Sequence, residues 1–523
     1  MEDSPPAVPR APLLPALWAL ILGLWAALGH GTVAVALLAI SLLCHLLARR
    51  WKAALLFLAI ALLGWGRMRL AGEPPLPRGS TGRFLQFSLQ LDRCSLRTYA
   101  SGRRIYGFGR LVSIGKSSPR LGQQVYYSLA LPKDLPMPIR GQRILVRAKL
   151  RKTLPKSQAF ELYLHETGVH YRVVQGQVLS LGPISPLDRR LAAAHARSVR
   201  SLRLGLAENS PARHIYGAML LGDRSAMTPE EKSTYSRVGI AHLFAVSGLH
   251  IGEVAVLIGL LTRGLPLPQP LLVLLRLLPL LGFVLMTGGS PSAFRAFTMV
   301  ASLWLAPLFF RHGSGLASLT LAALVTLLLS PASLISTSFQ FSYGVVLSLL
   351  LFGAPLGSWF RQRLTARRRS SLLRRGAVRL GQLIALSIAA TLPLIPLSLF
   401  HFQTFSIGGI FLNPCVIPLS TVAIFFGFCS LCLGFLGIFP GCWLCNVAAL
   451  PFLRLIHALA DGTGQLRWVT SPPLSIGADG TFLWFTAIAA ALFLGRRWKN
   501  PLLRFGLPSS VAALPFCWLS LFR

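Results

Sequence analysis

The chain has 523 residues, 53% hydrophobic and 13% charged, with a mean hydropathy of +0.61 and a formal charge of +37. No soluble globular protein of ordinary composition has this profile, so it reads as a polytopic α-helical membrane protein. Acids number 15 against 52 bases, and none lies between Glu253 and Asp461. A proton-coupled transporter carries carboxylates within its spans, where only Glu253 is available, whereas the basic excess suits a polyanion or anionic lipid.

The first ten residues carry Glu2, Asp3 and three prolines, unlike a cleavable signal. Apolar runs at 12–29, 31–48 and 53–66 follow, so residues 1–70 form N-terminal transmembrane helices. Arg49, Arg50 and Lys52 place the second junction, and with it the N-terminus, in the cytoplasm.

Residues 71–183 change to period-two alternation. Leu85, Phe87, Leu89 and Leu91 alternate with polar neighbours, as do Ile144, Val146, Ala148 and Leu150 with Arg143, Arg147, Lys149 and Arg151. Further candidates near 104–114, 122–130 and 169–181 make about five strands, with a short helix around Phe160 to Glu166. This predicts an inserted extracytoplasmic small β-barrel of the OB type. Its 18 Lys and Arg against 5 acids suit a phosphate backbone. Arg143, Arg147, Lys149 and Arg151 are the candidate contacts, and Tyr106, Phe108, Tyr126 and Tyr127 the candidate stacking residues. Gly109 to Ser117 resembles a phosphate loop with one residue too many between its glycines, and reads as a strand turn.

Residues 184–238 read as amphipathic or interfacial helices. The first, over 186–206, is basic and expected on the membrane surface; two others are expected at 211–221 and 229–237. Apolar runs return near 240–262, 269–287, 291–310, 315–329, 334–354, 380–400, 409–437, 441–459, 480–494 and 501–521. They divide into a channel region, 239–440, and C-terminal transmembrane helices, 441–523. Basic junctions at Arg263, Arg311, 361–379 and Arg496 all fall inside if about 13 helices cross, with residues 71–238 outside.

Within the run from 240, His242, Ser247, His250 and Glu253 interrupt the apolar character. Ser247, His250 and Glu253 are three apart and form a polar stripe on a helix, with Gly248 allowing close approach. The pairs Cys429/Cys432 and Cys442/Cys445 match a zinc spacing, yet no charge or His lies near to orient them. No metal or cofactor is expected.

The stretch His242-Leu-Phe-Ala-Val-Ser-Gly-Leu-His250 strongly resembles the competence domain of the ComEC/Rec2 family, the DNA internalization channels of transformable bacteria. Leu221-Gly-Asp-Arg224, Pro291-Ser-Ala-Phe-Arg295, Phe339-Gln340-Phe-Ser342 and Asn413-Pro414 are similar to further family segments. The resemblance implies uptake of single-stranded DNA through the inner membrane, with His242, Ser247, Gly248, His250, Glu253, Arg295, Gln340 and Asn413 lining or gating a polar path. It implies as partners single-stranded DNA, membrane lipids, a cytoplasmic helicase or translocase, a separate nuclease and a periplasmic DNA-binding protein. Many members carry a metallo-β-lactamase-like domain; no H-x-H-x-D-H and no Walker A occur here, so no enzyme activity is expected. Two alternatives compete: the same scaffold handling lipid or another polyanion, and an intramembrane serine protease using Ser247.

Overall fold

The computed structural model describes chiefly residues 13–27, 51–70, 82–114, 122–153, 169–309, 314–365, 372–466 and 469–471, with short breaks. Helices α1 (Leu14–Ala27) and α2 (Trp51–Leu70) pack as a pair, with Gly23 admitting the Ala61 backbone. The run expected at 31–48 lies largely outside the described residues, as do those at 480–494 and 501–521.

Six strands follow: β1 (Phe84–Leu91), β2 (Ser95–Tyr99), β3 (Gly102–Ile114), β4 (Gln124–Leu131), β5 (Arg143–Lys152) and β6 (Tyr171–Leu181). Their order is β1-β5-β6-β4-β3-β2, and a further β1–β3 pairing closes five of them into a small barrel with β2 as an outer hairpin arm. All pairings are antiparallel except β4–β6. Period-two alternation builds the core: Phe87, Leu89, Ile144, Val146, Ala148 and Leu150 point inward. The helix expected at Phe160 to Glu166 lies outside the described residues except for Leu164.

Three helices then run along the bundle: α3 (Pro186–Arg203), α4 (Pro211–Leu221) and α5 (Pro229–Arg237). Each starts the same way, with Ser185, Ser210 or Thr228 accepting a backbone N–H before a proline whose missing donor costs nothing there. The remaining helices are α6 (Gly248–Leu261), α7 (Gln269–Met286), α8 (Pro291–Leu305), α9 (Gly315–Leu329), α10 (Thr337–Ser348), α11 (Ala354–Thr365), α12 (Leu372–Thr391), α13 (Ile395–Phe402), α14 (Gly408–Leu436) and α15 (Phe439–Gly464). The largest core joins residues of α3 to α8 with α14 and α15.

Among the described residues five helices are long and apolar enough to cross a membrane, or six if the bent pair Arg375–Thr391 and Ile395–Phe402 is one span. The run 240–262 is not one helix. Only Gly248–Leu261 is α-helical, 14 residues or about 21 Å, against a hydrocarbon thickness of about 30 Å. Leu243, Phe244 and Val246 are apolar because they fill the core, not because they extend a span. Helix α3 also differs: its inner face packs on α7, α14 and α15, and Asn446 Nδ2 on α15 donates to the Ser201 and Leu204 carbonyls at 2.8 and 2.9 Å, capping its end.

Candidate functional site

The site is built around the break before α6. Gly239 turns the chain at φ +81°, packed against Ser406 and Gly409. A single 3₁₀ turn, Ala241–Phe244, follows. Arg224 holds it, donating from Nε to the Phe244 carbonyl at 2.5 Å and from Nη2 to the Ala241 carbonyl at 3.3 Å. His242 sits on this turn and is exposed, its Nδ1 3.1 Å from the Gly239 carbonyl, so it does not share the stripe of the residues that follow.

Ser247 is the N-cap of α6, and its backbone N–H donates to His250 Nδ1 at 3.3 Å. That acceptor role leaves the ring proton on Nε2. His250 is buried, and Ser247 Oγ is enclosed without a hydrogen bond. The nucleophile-to-base bond that a serine protease needs is therefore not made; the pair is arranged as a helix cap. The N-cap of α8 and its first turn tie this turn down: Ser290 Oγ and Ser292 Oγ donate to the Val246 carbonyl at 3.3 and 3.1 Å. A Cβ at Gly248 would sit 3.5 Å from Ala296 Cβ, in ordinary contact with α8.

Arg295, next to Ala296, is buried on α8. Its Nη2 donates to the Ser338 carbonyl at 2.7 Å and to Ser338 Oγ at 3.2 Å, and its guanidinium lies 5.5 Å from the Tyr343 ring centroid. Its Nε has no partner, and no carboxylate pairs with it among the described residues. A buried cation without an acid costs several kcal/mol unless a negative ligand meets it. On the other side of α6, Glu253 is half-buried; Thr421 Oγ1 of α14 donates to its Oε1 at 2.5 Å, and its Oε2 is enclosed without a partner. Asn413, two turns earlier on α14, is buried with Oδ1 unsatisfied.

Gln340 at the start of α10 belongs to a neighbouring network. Its Nε2 donates to the Leu334 carbonyl at 3.2 Å, and His401 Nε2 on α13 donates to its Oε1 at 2.8 Å. The sequence pattern singled out Arg224 only within a family-like segment, and did not mark Ser338, Tyr343, His401 or Thr421. A lone histidine in an acid-free apolar stretch was the available signal for His401; nothing marked Thr421.

In the barrel, Arg143, Arg147 and Arg151 are exposed on β5, with Lys149 half-buried beside them. Tyr126 is half-buried on β4, edge-on to Phe108 with centroids 5.5 Å apart. Tyr127, expected to stack bases, is in the barrel core. Strands β3 and β4 are each one strand removed from β5, so Tyr126 does not adjoin the basic row. The aromatic beside that row is Phe84 on β1, 52% exposed, with Lys149 Nζ 4.7 Å from its ring centroid.

Among the described residues, five long apolar helices and a basic strand barrel define a helical membrane protein with an inserted β domain. A family model described as Competence protein matches residues 219–498, and the chain belongs to that family, of ComEC/Rec2 type. It is 32% identical over 212 residues to ComE operon protein 3 of Bacillus subtilis (strain 168), covering 40% of this chain and 25% of that protein. It is 26% identical over 334 residues to Uncharacterized protein YcaI of Escherichia coli (strain K12), covering 62% of this chain and 40% of that protein. The matches thus span well under half of either curated relative. No solved structure matches the chain.

Proposed function

We propose that this chain conducts a single strand of DNA across the inner membrane into the cytoplasm, as a channel and not as an enzyme. The observation that carries the reading is Arg295, a buried guanidinium with no acid beside it, next to the Ser247–His250 cap. Arg is always ionised and presents a fork of N–H donors matched to a phosphate, so a passing phosphodiester supplies the missing negative charge. Asn413 and Glu253 would complete the lining, with Gln340 and His401 flanking it.

In this reading the N-terminus is cytoplasmic and residues 71–238 lie outside, where the barrel at 71–183 collects the strand by charge and stacking. A negative interior opposes entry by roughly 2.3 kcal/mol per charge per 100 mV. A pore alone does not overcome that, so a cytoplasmic helicase or translocase pulls. A separate nuclease and a periplasmic DNA-binding protein would act upstream.

The test is uptake of labelled DNA in a deletion strain complemented with His250→Ala or Arg295→Ala. Uptake should fall at least tenfold with Arg295→Ala; full uptake in both variants would sink the site assignment. Normal transformation of the deletion strain itself would leave the scaffold handling lipid or another polyanion.

A further inference from the structure

Helix α3 exposes Arg189, Arg190, Arg197, Arg200 and Arg203, while Ser198, Ser201 and Leu202 are buried against the bundle. Arg189, Arg200 and Arg203 lie on one face with Ala193 and Ala196 between them, a spacing of i, i+4, i+7, i+11 and i+14. No carboxylate pairs with any of the five among the described residues. Arg197 Nε is engaged by the Gly434 carbonyl at 2.8 Å, which fixes the helix on α14.

This row begins where the basic strand of the barrel begins. The Gly182 N–H donates to the Arg143 carbonyl at 2.7 Å, and Gln142 Nε2 donates to the Gly182 carbonyl at 3.0 Å. Gly141, at φ +81°, lies against the Asp188 carboxylate in the first turn of α3. Further along, His195 Nδ1 is 3.3 Å from the Met286 carbonyl. Met286 ends α7, four residues before the Ser290 that holds Val246 beside Ser247. The helix therefore bridges the start of β5 and the loop leading into the polar cluster.

We propose that α3 is the second section of a phosphate track, carrying the backbone of a single DNA strand from the basic face of β5 toward the site. The inference rests on the DNA reading above. The membrane surface is the poorer fit. An interfacial helix sinks its apolar face about 5–10 Å into lipid, but the apolar face of α3 is occupied by α7, α14 and α15. Its open face runs from Arg189 over Ala193 and Ala196 to Arg200 and Arg203, and the two alanines let a backbone lie close. Arg203, the last of the row, also lines the hollow between α3 and α4 together with Arg213 and Asp223.

The test measures binding of a fluorescent single-stranded oligonucleotide to the purified full chain across a salt series. The triple variant Arg189→Gln, Arg200→Gln and Arg203→Gln should bind more weakly at low salt, with the log–log salt slope reduced by about 2, from about 0.7 per phosphate contact. The corresponding Arg→Lys triple should restore the slope. An unchanged slope in the glutamine triple, while Arg143→Gln with Arg147→Gln reduces it, overturns the inference and leaves the DNA reading standing. No salt-sensitive binding by the unaltered chain overturns both. Loss of binding to phosphatidylglycerol vesicles with DNA binding intact assigns the row to lipid and also overturns it.

Discussion

Thr421 on α14 and Glu253 on α6 meet through a 2.5 Å hydrogen bond, in which the threonine hydroxyl donates to one carboxyl oxygen while the other is enclosed without a partner. The bond fixes the depth at which the short helix stands against the long one. Thr421→Val should destabilise the protein by about 0.5–1.5 kcal/mol, the net worth of one hydrogen bond, because Thr421 is exposed and Glu253 only half-buried. The same change in a Glu253→Leu background should cost much less, giving a coupling of roughly 0.5–1.5 kcal/mol in a double-mutant cycle read by thermal unfolding. Additive costs would mean that the two side chains do not act on each other.

Arg295 should tolerate conservative replacement poorly. Lysine keeps the charge but not the fork that reaches both Ser338 acceptors from one nitrogen while offering others to a ligand. Losing one hydrogen bond to a charged group costs about 1.5–3 kcal/mol, so Arg295→Lys should reduce DNA uptake by roughly tenfold or more. Membrane yield should stay near that of the unaltered chain. Undiminished uptake would show that only the charge matters.

Gly239 stands at a position that a side chain would strain twice. Its φ of +81° is left-handed, and a Cβ there would lie 3.0 Å from Ser406 Oγ and 3.2 Å from Gly409 Cα. Gly239→Ala should cost about 1–3 kcal/mol and displace the turn carrying His242. Uptake assays and thermal unfolding should both report the change; a variant as stable as the parent would contradict this account of the turn.

Cys94 lies beside the barrel core. Burial pushes its thiol above the ordinary value of 9.0, and a hydrogen bond with the Tyr127 hydroxyl only partly offsets this. A raised thiol pKa means less thiolate at pH 8, so Cys94 should react with iodoacetamide much more slowly in the folded chain than after denaturation. The folded state also holds that proton past the unfolded value. The group's contribution to stability is therefore full below about pH 9 and is lost as pH rises above it. Peptide mapping after timed alkylation checks the rate; rapid labelling of the native protein would refute it.

The barrel was readable in advance because a strand's period of two writes burial directly into sequence. The residues of β5 that alternate as basic and apolar are the ones that alternate outward and inward. The helix starts at Pro211 and Pro229 were equally legible, since a Ser or Thr cap before proline is a local event. The run 240–262 misled for a physical reason: apolar residues that plug a core and apolar residues that face lipid are chemically alike, so hydropathy does not separate a 3₁₀ turn with a short helix from a span. Likewise Tyr126 and Tyr127 differ in role only because adjacent strand residues face opposite ways.

By itself the sequence determined that this is a basic, acid-poor helical membrane protein with an inserted strand domain, and it marked the His242 to His250 segment as special, because charge balance, hydropathy and period are local sums. Only the tertiary structure decided that Thr421 answers Glu253, that Arg295 is buried without an acid, and that Phe84 lies beside Lys149. These are pairings between segments far apart in the chain. They depend on which helix faces and strand neighbours meet, and no local pattern of residues encodes that.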